Sequence, residues 1–157
     1  MAVPGRNGGS PAPRVSALLP LAYLAHLCEE WWGGAGFPAW TLGTLGVEVS
    51  PERFIAINAI AWPLLTVGII VAMRSRRFGW FAATFAAIVT LNGLLHLLAT
   101  AAFSTYSPGV VTGAVLYIPL GGCVLVSMSR TLPAAVFGAA LLAGVALHAV
   151  VTIVAFA

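Results

Sequence analysis

Five apolar runs, at 15–32, 53–73, 79–102, 109–128 and 132–156, take up most of this sequence. Each comes close to the ~20 residues that carry a helix across the hydrocarbon core of a bilayer. In lipid a backbone segment must satisfy its own N–H and C=O groups, so runs of this length have only the helix open to them. The expected fold is therefore all-α: an integral-membrane bundle of about five transmembrane helices, the first being the shortest. Charged residues make up 7% of the chain, against about a quarter in a soluble domain. At 157 residues there is room for one compact membrane domain over 15–157, and residues 1–14, rich in Gly, Pro and Ser, are expected as a disordered cytoplasmic tail.

The breaks between the runs set the topology. Arg6 and Arg14, then Arg74, Arg76 and Arg77, then Arg130 fall on one side if every run crosses, and only Arg53 falls opposite. The excess of basic residues marks the cytoplasmic side, which predicts a cytoplasmic N-terminus and an external C-terminus in the plasma membrane. The basic balance thus reports orientation, and no nucleic-acid partner is implied; the bilayer is the expected partner. The first run ends in Trp31 and Trp32, an interfacial pair, and is read as a retained span rather than a cleaved signal. The stretch 33–50 has too many glycines for a helix and is expected as an external loop, either outside the bilayer or dipping back into it with Phe37 and Trp40 as anchors. Ser50, Pro51 and Glu52 read as a helix start: a capping hydroxyl, proline in the first turn and an acid beside it. Cys28 and Cys123 lie within apolar runs without ligand spacing and are expected as buried free thiols.

With this topology the awkward polar groups sort to one depth. His26, Glu29 and Glu30 close the first span; Asn92 and His96 lie in the outer half of the third; Tyr106 and Thr112 flank the turn into the fourth. Asn58 and His148 share the same leaflet. Ionisable groups at membrane depth are costly and mark sites. His26 stands three and four residues before the two carboxylates, and Asn92 four before His96, so each set shares a helix face. Each has a bland reading on its own: interfacial carboxylates, interhelical hydrogen bonding for Asn92 and His96, an aromatic belt for Tyr106, packing for His148. Their joint placement favours one site. Two imidazoles with carboxylates suit zinc or iron, with His26, Glu30 and His96 as candidate metal ligands. Without a metal, the paired carboxylates could share a proton and act as acid or base.

Three motifs occur in order: His26-Leu27-Cys28-Glu29-Glu30, Asn92-Gly93-Leu94-Leu95-His96, and Tyr106-Ser107-Pro108-Gly109-Val110-Val111-Thr112. As HxxEE, NxxxH and YxPGxxT they resemble the HXXEE family of small multi-span membrane proteins, over roughly residues 18–125. That family has no assigned function; the resemblance implies a catalytic site built from His26, Glu29, Glu30, Asn92, His96, Tyr106, Pro108, Gly109 and Thr112. Intramembrane CAAX-type proteases also carry a Glu pair, but with an arginine where Gly34 stands here.

The expected function is an integral-membrane enzyme, hydrolytic, with a divalent metal as candidate cofactor and a lipidic or amphipathic substrate reached from the outer leaflet. His26, Glu30 and His96 would hold the metal or a water. Glu29 would be general base or a further ligand, and Asn92 and Tyr106 would orient substrate. The alternatives are a proton-coupled carrier or channel using the same residues, and an accessory membrane subunit.

Overall fold

The computed structural model describes residues 12–157, so residues 1–11 of the expected tail lie outside the described residues. The rest of that stretch is packed: Ala12 is buried and its N–H donates to the Ala72 carbonyl at 3.0 Å. The described residues form helices and no strand. After a 3₁₀ turn at Arg14–Leu18 come α1 (Leu19–Trp32), α2 (Phe37–Leu45), α3 (Pro51–Arg74) and α4 (Gly79–Phe103). They are followed by α5 (Val110–Ser129) and α6 (Ala134–Phe156).

Four of these, α3 to α6, are long and apolar enough to cross a membrane, which makes the chain a multi-pass membrane protein. α1 has 14 residues and spans about 21 Å at the α-helical rise, so the first expected span is the short one. Ser50 caps α3 as its sequence predicts, its hydroxyl accepting from the Arg53 N–H at 3.1 Å.

α4 is the axis of the bundle. Ala82, Ala83, Phe85, Ala86 and Val89 are buried, and α3, α5 and α6 pack around them. Small residues let the backbones approach, as is usual where helices meet in lipid. A Cβ on Gly93 would lie 2.9 Å from the Gly113 carbonyl of α5, and one on Gly144 of α6 2.8 Å from the Thr84 carbonyl. The outgoing ends of α1 and α4, the first turns of α3 and α5, and the last turns of α6 meet at one end. Arg74, Arg76, Arg77 and Arg130 lie at the other.

Two expectations are corrected. The stretch 33–50 is not wholly loop: α2 forms within it, and its glycines fall largely at the helix ends. Gly46 ends α2 in the left-handed region (φ 69°) and returns its N–H to the Leu42 carbonyl, which glycine does at low cost. The two cysteines are exposed on the outer face of the bundle rather than buried, because an apolar run surrounded by lipid does not distinguish its inner from its outer face.

Candidate functional site

On α1, residues four apart share a face, and both His26 and Glu30 are buried there. On α4 the same spacing puts His96, buried, near Asn92. The helices bring the two imidazoles edge to face, ring centroids 5.0 Å apart. Both turn Nε2 to one oxygen, Glu30 Oε1, at 3.6 Å from His26 and 3.2 Å from His96. The other ring nitrogen of each is held by a hydroxyl. His26 Nδ1 lies 2.8 Å from Thr112 Oγ1, and His96 Nδ1 lies 3.0 Å from Ser107 Oγ.

Glu29 does not face the histidines. Adjacent residues of a helix diverge by about 100°, and this carboxylate reaches the start of α5 instead. Its Oε1 accepts from the Tyr106 hydroxyl (2.7 Å) and the Val111 N–H (2.9 Å). Its Oε2 accepts from the Thr112 N–H (2.6 Å) and the Thr112 hydroxyl (2.5 Å). One consequence fixes a proton. A threonine hydroxyl has a single hydrogen, and here Glu29 takes it, so Thr112 Oγ1 can only accept from His26. His26 therefore carries its proton on Nδ1, and in the neutral ring Nε2 presents a lone pair towards Glu30 and His96.

The turn between α4 and α5 is built for this contact. Ser107 and Pro108 are fully buried, and Gly109, at φ 102°, sits on both imidazoles: a Cβ there would lie 2.7 Å from His26 Cε1 and 3.0 Å from His96 Cε1. α5 then passes through a π turn at Gly113–Tyr117. In an α-helix Thr112 and Tyr117 would point about 140° apart; the wider turn lets both reach His26, Thr112 by its hydroxyl and Tyr117 by stacking at 4.2 Å. Such turns recur at functional sites. Phe37 of α2 closes over His96, ring centroids 5.9 Å apart.

The pair opens onto a cavity of about 490 Å³, within the range of small-molecule sites. His26, Glu30, Asn92 and His96 line it, as do Asn58 and His148. Asn58 accepts from the Tyr23 hydroxyl at 2.5 Å, and His148 Nδ1 lies 3.4 Å from Thr152 Oγ1. Asn92 Oδ1 is buried without a partner. Glu29, Tyr106 and Thr112 do not line the cavity; they hold its walls. The Tyr106 phenol is pushed up to about 12 by loss of solvent and by its bond to Glu29, so it remains a donor at neutral pH.

Sequence reasoning missed Ser107, Tyr117 and Phe37. Ser107 occupies the variable position of YxPGxxT, Tyr117 depends on the π turn, and Phe37 stands on a helix hidden in a glycine-rich stretch. Thr112→Val keeps the shape but removes the acceptor of His26 Nδ1 and a donor to Glu29. Leaving such buried groups unpaired should cost about 1–3 kcal/mol, measured as loss of stability in a denaturant titration in micelles.

The ligand atoms of His26, Glu30 and His96 all lie within 4.8 Å of one another. Tetrahedral zinc with bonds of 2.0–2.1 Å implies ligand atoms about 3.3 Å apart, and the two observed contacts to Glu30 bracket that value. His26 Nε2 is buried with no hydrogen-bond partner, an orphaned acceptor facing the other two. The residues present thus fit a divalent ion.

Residues 17–126 match the family described as "Protein of unknown function with HXXEE motif". No curated protein and no solved structure matches the chain.

Proposed function

The chain belongs to the HXXEE-motif family, and we propose that it is an integral-membrane enzyme, hydrolytic, using a divalent metal at His26, Glu30 and His96 on a lipidic substrate. One observation carries this reading: two imidazole Nε2 atoms and one carboxylate oxygen converge at 3.2 and 3.6 Å while both Nδ1 atoms are tied to hydroxyls. Ligating histidines characteristically use their second nitrogen in this way, and the partner fixes tautomer and ring angle. Three protein ligands, two His and one Glu, are the donor set of hydrolytic zinc sites, which keep a position for water. A zinc or iron ion there would supply a Lewis acid and an activated water at neutral pH.

The chain's own residues have separate tasks. Glu29 spends both oxygens on Tyr106, Val111 and Thr112. These four bonds favour a positioning role for Glu29 over that of general base. Asn92 offers an unpaired Oδ1 in the cavity wall, a hydrogen-bond acceptor that orients substrate. Phe37 and Tyr117 exclude water from the imidazoles. The arginines gathered at the opposite end support a cytoplasmic N-terminus and a site in the outer leaflet of the cell membrane.

Elemental analysis of the detergent-purified protein tests the reading. About one zinc or iron per chain is expected, lost in His26→Ala and in His96→Ala variants that keep their helical circular dichroism. A gently purified wild type without metal overturns it.

A further inference from the structure

The cavity extends well beyond the histidines. On α3 its lining runs from Phe54 to Leu65, and on α4 from Ala99 back to Ile88. Eleven residues of helix rise about 16 Å, of which about 12 Å, from His96 to Ile88, lies below the histidine, against about 15 Å for one leaflet of hydrocarbon, half of the ~30 Å core. Below the His/Glu end the walls are mostly apolar, with Ala61, Leu64, Leu65, Ile88 and Leu147, and His148 of α6 is the polar side chain beside them. Asn58 and Tyr23, the polar groups lower on α3 and α1, satisfy each other.

Aromatic side chains cover the interfacial end. α2 roofs it with Phe37 and Trp40. Arg53, the one arginine at this end among the described residues, spans from α3 to α6 and donates from Nη1 to the Ala155 carbonyl at 3.4 Å. Leu64 and Leu147 both line the cavity and are 65% and 50% exposed, so the cavity is least covered where α3 and α6 face each other. Trp40 is buried at the roof, and its Nε1–H has no partner, which leaves a donor for a head-group oxygen.

We propose that this cavity holds a single fatty-acyl chain of a lipid, admitted sideways between α3 and α6, with its tail towards the bilayer midplane and its carboxyl-derived group at Glu30 and His96. This names the substrate class of the site and rests on the enzyme reading only for the chemistry at that polar end. The depth selects one extended chain, the apolar walls select hydrocarbon, and the aromatic roof of Phe37 and Trp40 disfavours an approach from water. α6 lies outside the family-matched residues 17–126, yet it supplies Leu147 and Val151. Preference for chain length is therefore set in part by a helix that the family match does not reach.

The test is photolabelling in nanodiscs with a fatty acid carrying a mid-chain diazirine, mapped by mass spectrometry, with unlabelled fatty acids of 8, 12, 16 and 20 carbons as competitors. Saturable adducts are expected on α3, α4 and α6 at residues such as Leu64, Ile88 and Val151. The best competitor should be a chain that fills the depth, and Leu147→Trp should shift that optimum to a shorter chain. Adducts that fail to saturate, or that fall on outward residues such as Val126 and Val136 as heavily as in the cavity, overturn the proposal. The wild-type map does so whether or not the variant folds. The two readings fail separately. Saturable labelling of a protein without metal keeps the acyl site and removes the enzyme, whereas stoichiometric metal without saturable labelling does the reverse.

Discussion

Gly109→Ala should disable the site without removing any functional group from it. Gly109 has φ 102°, a region that L-residues enter at about 1–2 kcal/mol. The added methyl would also stand 2.7 Å from His26 Cε1 and 3.0 Å from His96 Cε1. Neither ring can retreat easily, because His26 is held by Thr112 and stacked on Tyr117, and His96 is held by Ser107. Overpacking of this kind costs about 1–3 kcal/mol, so a total loss of roughly 2–5 kcal/mol is expected. Bound metal should fall with it as the rings are pushed off Glu30. The control is Gly122→Ala on α5, where an added Cβ meets nothing within 4 Å; it should be neutral or gain up to about 1 kcal/mol from helix propensity. Denaturation in micelles and elemental analysis of both variants decide the matter. Equal behaviour of the two would sink the account of the turn.

The adjacent glutamates should separate cleanly. Glu30→Gln removes the carboxylate towards which both Nε2 atoms point, at 3.6 and 3.2 Å. An amide is a poor ligand for zinc beside two neutral imidazoles, so metal and activity should both be lost while the helices persist. Glu29→Gln keeps an acceptor for two donors but sets its NH₂ against the others, since four donors converge on this side chain. The Thr112 hydroxyl is then no longer held, and His26 loses its fixed tautomer. Outer partners of metal ligands are typically worth about 10–100-fold in affinity or activity, so Glu29→Gln should weaken metal binding by that much without abolishing it. Metal titration of the two apo-variants measures the difference, and complete loss in Glu29→Gln with retention in Glu30→Gln would reverse the assignment.

The extents of α3 to α6 were legible because each is a long apolar run, and runs in lipid have one regular solution. Their ends fell where Ser50, Pro51, the arginine cluster and Pro133 interrupt the runs. The partnership of His26 with Glu30 was legible because a spacing of four is a property of the helix alone. The helix in 37–45 was not, since its glycines weaken the local signal and its stability comes from Phe37 and Trp40 packing on Phe54, His96 and Phe103. The outward cysteines were misjudged for a related reason: in a span, hydropathy is satisfied equally by lipid and by protein.

The sequence by itself determined an all-α membrane bundle and the polar end of that bundle, and it singled out His26, Glu29, Glu30, Asn92, His96, Tyr106 and Thr112 as candidate site residues. Those follow from run length, the cost of ionisable groups in hydrocarbon, and spacings within single helices. Only the tertiary structure decided which carboxylate meets the histidines and which holds α5, that Ser107 and Tyr117 join the His/Glu cluster, and that a cavity lies between α3, α4 and α6. These depend on how helices are rotated and seated against one another. That arrangement is set by contacts such as Gly93 on Gly113 and by the π turn at Gly113–Tyr117, whose effect appears only when two distant segments are brought together.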